Sequence, residues 1–321
     1  MAKARVAVLI SGRGSNMAAL IYAAKRADCG FEVALVASDR ADAPGLTLAR
    51  AEGVAVADLP PLTSATRDAF YETLDTTLRN ASIDYVALAG FMRILPAEFV
   101  GRWRDRIVNI HPSLLPRYKG LDTHAAALAA NDAQGGCSVH IVTAALDDGP
   151  VLAQTPVAIL PGDTVDNLAA RVLIAEHQLY PHTLEAYVTR ELDPGWLTGR
   201  VGELALALPE SGHASSHGAP GWRVGGEKSG KFFAYVSVRH HGEDAVALLV
   251  KTSGQDEMAD LIDRDPALYY RPAYYGASGW IAVRLDTGRT DWELVADWLA
   301  RSWAMVAPKR LTKLMRVAEE F

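Results

Sequence analysis

The sequence predicts an α/β fold built on a mostly parallel sheet, followed from about residue 200 by a smaller α+β domain. Three observations carry this. Short apolar runs bounded by turn residues alternate with helical patterns up to about residue 190. That alternation stops near Asp193-Pro194-Gly195. Six of the seven tryptophans lie from Trp196 onward, among strand-like segments separated by polar turns.

Taken in order, residues 6–10, 32–38, 85–89 and 106–110 are rich in Val, Ile, Leu and Ala and read as strands. Residues 17–27, 46–52, 67–80 and 164–189 read as helices. Apolar strands separated by helices require right-handed crossovers. The sheet is then largely parallel, covered on both faces and Rossmann-like, with ligands beyond the carboxyl ends of its strands. Segments 138–143 and 151–157 look like a hairpin-forming pair flanking a loop that holds Asp147. Past residue 200, segments 231–238, 245–251 and 280–285 suit antiparallel strands, and 292–305 an amphipathic helix. The low-complexity stretch 211–221 reads as a loop. These assignments place a first domain at 1–194, a linker at 195–202 and a second domain at 203–321.

A chain of 321 residues favours two domains over one. Its net charge of −6 gives no global attraction to nucleic acid or to an anionic membrane. Cys29 and Cys137, the only cysteines, read as reduced thiols rather than a disulfide framework. The first apolar run, 6–10, is too short for a signal sequence or a spanning helix, and no later run is longer enough to cross a bilayer. A cytoplasmic protein is expected.

Two segments carry chemistry. Ser11-Gly12-Arg13-Gly14-Ser15-Asn16 follows the first strand and opens a helix. Its glycines permit close backbone approach, and the free N–H groups of the helix start suit a phosphate, with Ser15 and Asn16 as added side-chain donors. Met17 stands where a dinucleotide fingerprint has its third glycine, so this is a different phosphate loop. Asn109-Ile110-His111-Pro112-Ser113-Leu114-Leu115-Pro116 delivers an amide and an imidazole at a strand end, and Asp147 lies on a later loop. Asn109, His111 and Asp147 provide oxyanion donors and a proton carrier, the requirements of acyl transfer to an amine. An ionised Asp147 beside the ring favours the imidazolium. Cys137 has no local base and reads as structural.

These motifs, with 88–95, 120–124, 138–142 and 146–150 in their order and spacing, resemble the phosphoribosylglycinamide formyltransferase family over about residues 4 to 190. The resemblance implies the formyltransferase type of sheet. It also implies formyl transfer from 10-formyltetrahydrofolate, as cosubstrate and without a metal, to the amine of glycinamide ribonucleotide in de novo purine biosynthesis. By the same resemblance Gly14, Ser15 and Asn16 hold the phosphate and Glu176 contacts the ribose. Arg67, Met92, Arg93, Ile94, Leu95 and Asn109 line the folate site. His140 sits beside the chemistry in a supporting place. The related methionyl-tRNA formyltransferases lack this phosphate loop, and formyltetrahydrofolate deformylases carry an extra domain before the core, so the loop decides the substrate.

The second half is similar to the MmcQ/YjbR family through 204–210, 221–224, 231–234, 279–283 and 302–303. That family is often described as DNA-binding. Yet residues 203–321 hold 14 Lys+Arg against 16 Asp+Glu, where a DNA-binding domain needs a basic face. Lys309, Arg310, Lys313 and Arg316 form a local basic cluster that suits a solvated helix end. Nucleic acid is an unfavoured partner, and a homodimer is left open. Gly225 to Lys231 imitates a nucleotide-binding P-loop, but Phe232 replaces the Ser or Thr that would hold magnesium, so a β-turn is expected.

Overall fold

The computed structural model describes residues 3–60, 62–63, 66–216, 218–226, 230–239, 244–288 and 290–313. The chain divides into two compact units, Met1–Val188 and Thr189–Phe321.

In the first unit, β1 (Ala4–Ile10) leads through the phosphate loop into α1 (Ser15–Ala24). There follow β2 (Phe31–Ser38), α2 (Pro44–Ala51), β3 (Ala55–Val56) and α3 (Arg67–Asn80). Next come β4 (Tyr85–Leu88), α4 (Ala97–Arg102), β5 (Ile107–His111) and α5 (Thr123–Ala129). The hairpin β6 (Gln134–Ile141) and β7 (Val151–Ala158) precedes the long α6 (Val165–Val188). The seven strands lie in the order β3-β2-β1-β4-β5-β6-β7. The first five are parallel and the last two pair antiparallel. The order reverses between β1 and β4, where α/β sheets open a crevice for ligands.

Both faces are covered, as a run of apolar residues without polar alternation requires. Val6, Val8 and Ile10 of β1 pack with Met17 and Leu20 of α1 and Leu168 and Val172 of α6. Ala7 and Leu9 point to the other face, among Phe70, Leu74 and Leu78 of α3 and Phe99 of α4. The Tyr180 hydroxyl, on α6, lies 2.9 Å from the carbonyl of Val108 and 3.1 Å from that of Leu88, its one proton serving two strands.

The second unit starts with α7 (Pro194–Leu206), then β8 (Ser211–Ser216), β9 (Ala219–Val224), β10 (Lys231–Val238) and β11 (Val246–Lys251). α8 (Gln255–Arg264), β12 (Tyr269–Tyr270), β13 (Trp280–Arg284) and α9 (Trp292–Val306) complete it. Its antiparallel sheet has the order β12-β13-β11-β10-β9-β8. One face packs on α7 and α9 around Trp222, Phe233, Trp298 and Trp303.

Two expectations are corrected here. Residues 195–202 are not a linker. Asp193 caps α7 by accepting from the Trp196 N–H (2.6 Å), Pro194 takes the first turn, and Leu197 and Val201 are fully buried in the second core. Residues 211–216 and 219–221 are not a loop but contribute to the β8–β9 pairing, because an edge strand is held by backbone pairing and tolerates Ser and Gly. Glu227, Lys228 and Ser229 of the P-loop-like segment, and Arg316 of the basic cluster, lie outside the described residues.

Candidate active site

Gly14 caps the start of α1 with φ of 75°, a left-handed conformation that favours glycine. A Cβ there would stand 3.0 Å from Met17 Cε and 3.3 Å from Gly45 Cα. The Gly45 N–H donates to Gly12 O at 3.0 Å, so the start of α2 braces the loop. The first N–H groups of a helix have no intrahelical partner, and here no side chain among the described residues caps them. They are available to an anion, and Ser15 beside them is exposed.

Asn16 differs from expectation. Its side chain is buried, and Nδ2 donates to Glu176 Oε2 at 2.7 Å. One of its two amide hydrogens is therefore committed to Glu176, leaving the other and the backbone N–H for a phosphate. Glu176 is itself buried. Burial pushes its carboxyl above the usual carboxylate range, and the Asn16 bond offsets this only in part. Cys137 lies near enough for the Glu176 charge to reach it. Burial first, then that charge, pushes the thiol up to about 12, so it is no nucleophile.

Asn109 and His111 stand two residues apart on β5 and so share one face of the sheet. The His111 ring is buried, with Nε2 2.9 Å from the Tyr118 carbonyl and Nδ1 3.5 Å from Asp147 Oδ2. Both ring nitrogens thus face acceptors, so either neutral tautomer leaves one edge without its hydrogen. The Nδ1 edge is the less tightly committed of the two. Asp147 adopts φ of 47° and accepts from the Gly120 N–H at 2.9 Å. Burial raises its carboxyl, but the His140 ring, the Gly120 N–H and the nearness of both imidazoles outweigh burial. The group is held below the ordinary carboxylate range.

His140 lies opposite Asn109 across the β5–β6 pair. Its Nε2 is 3.1 Å from Asn109 Nδ2 and 3.5 Å from Asp147 Oδ1. Four side chains converge, then, where three were expected to carry the chemistry. Gly149 closes the loop beneath them: a Cβ there would overlap Ile141 O and stand 2.9 Å from that carbonyl carbon.

On the folate side, Met92 and Ile94 are well exposed for apolar residues, whereas Leu95 turns into the core with Tyr71 and Phe99. The Met92 N–H donates to Ser11 Oγ at 2.8 Å, tying this segment to the phosphate loop. Arg93 Nε donates to the buried Asp39 carboxylate at 2.6 Å. Arg67 opens α3 and is exposed. Its charge and those of Arg93 and Asp39 all reach the Tyr71 hydroxyl, though burial is what chiefly raises that group. Sequence reasoning missed Asp39 and Gly45, and named Gly120 and Gly149 only as parts of motifs. Only the glycines had a local signal, their place within turns. Among the described residues no group of three or more His, Cys, Asp or Glu side chains is placed to hold a metal ion. No helix among them is long and apolar enough to cross a membrane.

Residues 4–184 match the family model described as Formyl transferase, and residues 206–305 match that described as YjbR. The phosphoribosylglycinamide formyltransferase of Escherichia coli (strain K12) is 41% identical over 214 residues, covering 65% of this chain and 98% of the relative. The trifunctional purine biosynthetic protein adenosine-3 of Homo sapiens is 42% identical over 183 residues, 57% of this chain but only 18% of that longer protein. The crystal structure of the Brucella melitensis phosphoribosylglycinamide formyltransferase superposes with a TM-score of 0.56 at 45% identity, covering 58% of this chain and 96% of that one. A formyltetrahydrofolate deformylase from Burkholderia mallei ATCC 23344 shares the fold, with a TM-score of 0.55 at 23% identity over 60% of this chain and 67% of its own.

Proposed function

The chain belongs to the formyl transferase family, and from that premise we propose that its first unit moves the formyl group of 10-formyltetrahydrofolate to the amine of glycinamide ribonucleotide, a step of purine biosynthesis. The observation that carries this reading is the meeting of Asn109 and His111 of β5 with Asp147 of the β6–β7 loop, beside a phosphate-suited helix start at the end of β1.

The chemistry divides among these groups. The substrate amine attacks the formyl carbon, a C–N bond forms, and the carbonyl electrons move to oxygen. Asn109 Nδ2 and His111 Nδ1–H donate to that oxygen, the charged donor contributing more in a dry site. Asp147, kept ionised, accepts the proton that the attacking nitrogen loses, directly or through water. The bond to the folate nitrogen then breaks and that nitrogen takes up a proton, so the protons balance. Met92 and Ile94 offer apolar surface to the flat donor, and Arg67 and Arg93 offer positive charge. Gly14, Ser15 and the Asn16 backbone hold the phosphate, while Glu176 accepts from ribose hydroxyls.

Release of folate is to be followed with and without glycinamide ribonucleotide. Turnover that requires the amine supports transfer, and equal turnover without it points to a hydrolase instead. Such small charged substrates suit work in the cytoplasm. For the second unit an interaction role is the reading kept. A duplex-DNA titration of the whole chain across salt concentration tests its alternative, and binding that weakens with salt supports DNA.

A further inference from the structure

We propose that His140 is a positioning residue that sets which way the Asn109 amide faces, so that the formyl oxygen meets an N–H and not a carbonyl oxygen. This deepens the formyl-transfer reading and rests on it for its catalytic half.

A carboxamide has two ends of nearly equal size and opposite hydrogen-bonding character, and a strand backbone does not choose between them. His140 makes the choice. It lies directly across the antiparallel ladder from Asn109 and is 2% exposed, so water does not supply its partners. Its Nδ1 is 3.0 Å from the Ile141 carbonyl, which can only accept, so Nδ1 carries the hydrogen. In the neutral ring Nε2 is then a bare lone pair. It lies 3.1 Å from Asn109 Nδ2 and takes one of the two amide hydrogens. The second amide hydrogen has no other partner among the described residues and is left for the substrate oxygen.

The reverse orientation would set the amide oxygen against that lone pair, leaving two facing acceptors without a donor between them. Asp147 is the competing partner, farther from the ring than the amide is. Its Oδ1 lies 3.5 Å from the same Nε2, so a hydrogen on Nε2 would turn to the carboxylate and the amide would reverse. The productive arrangement thus requires the neutral ring with its hydrogen on Nδ1. A bulge in the β6–β7 pairing falls between Val139 and His140, a place where sheets re-aim a side chain.

The test uses the whole chain, with nitrogen-15 NMR of labelled histidine and asparagine beside steady-state kinetics. In the wild type at assay pH, His140 is expected as the neutral form protonated on Nδ1. His140→Phe is expected to lower kcat roughly ten- to a hundredfold while both KM values move less than about threefold. His140→Gln, whose amide oxygen reaches the place of Nε2, is expected to recover most of that loss. Introduced into Asn109→Ala, His140→Phe is expected to cost several-fold less than it does in the wild type, because its route through the amide is gone and only its contact with Asp147 remains. A wild-type ring protonated on Nε2, or an undiminished effect of His140→Phe in the Asn109→Ala background, overturns the proposal. If His140→Phe fails to fold, the spectrum and the Gln variant decide. Absence of amine-dependent turnover in the wild type overturns the formyl-transfer reading, whereas the NMR result still decides the amide orientation.

Discussion

Replacing Gly149 with alanine tests how finely the loop at 142–150 places Asp147. The Cα of Gly149 sits against the backbone of Ile141, and an added Cβ would overlap Ile141 O and stand 2.9 Å from its carbonyl carbon. The obstacle is main chain inside a sheet, so the loop and not the strand must yield, by about 1 Å or more. Asp147, two residues upstream, contacts His111 and His140 at 3.5 Å each, and these are already at the limit of useful interaction. A retreat of that size breaks both contacts, and a misplacement of about 1 Å costs on the order of a hundredfold in rate. The Ile141 carbonyl under strain is also the one that receives the His140 Nδ1–H, so both loss routes act together. The expected outcome is a kcat lowered about a hundredfold with KM for glycinamide ribonucleotide within threefold of wild type. Amine-dependent folate release measures both. A variant with kcat within threefold of wild type, and a crystal structure showing Asp147 in place, would refute the reasoning.

Other substitutions separate the remaining roles. Glu176 has a raised carboxyl in the folded protein, so the stability linked to it is present below its unfolded value near 4.3 and is lost as pH rises through the folded value. Glu176→Gln, which keeps an acceptor for Asn16, should therefore raise the Tm of the unliganded protein at pH 7 but not at pH 4, while weakening nucleotide binding about tenfold; calorimetry across pH and a binding titration read the two effects. Asp147 is the opposite case. Its lowered carboxyl contributes stability above an unfolded value near 3.9, lost as pH falls through the folded value, so the Tm gap between wild type and Asp147→Asn should open above pH 4 and close below it. The same variant should lose turnover by roughly a hundred- to a thousandfold. Gly14→Ala places a Cβ at φ of 75° and 3.0 Å from Met17 Cε, so KM for glycinamide ribonucleotide should rise at least about tenfold with KM for the folate unchanged.

The first unit was legible because its signals were local. Apolar runs without alternation marked the parallel strands, and α3 occupies the span its periodicity predicts. Motif spacing picked out Asn109, His111 and Asp147, but not the register that adds His140 to them, since pairing partners are set across the sheet. Asn16 shows another limit. Its residue type suits a phosphate donor, yet the partner that takes one of its amide hydrogens, Glu176, lies 160 positions away. Asp39 is invisible for the same reason, as the ion pair of this buried carboxylate with the half-exposed Arg93 joins two separate strand ends. In the second unit, α7 was mistaken for a linker although Asp193-Pro194 is a helix start signal, and the Ser- and Gly-containing β8 carries no strand signal at all.

The site ultimately depends on a change of strand direction. A parallel neighbour for β5 would need a crossover connection and would bring a different stretch of chain beside it. Because β6 runs antiparallel, Asn109 faces His140 and His111 faces Ser138, all four on one side of the sheet. Ser138 then anchors the turn that follows β5. Its hydroxyl donates to Ser113 O at 2.6 Å and accepts from the Leu115 N–H at 3.0 Å and from Gln154 Nε2 at 2.8 Å. A slip of one residue in this pairing would turn both His140 and Ser138 to the opposite face, removing the partner of the amide and the anchor of the turn in a single step. The alternation of side chains along two strands is therefore as much a part of the catalytic arrangement as the three polar groups themselves.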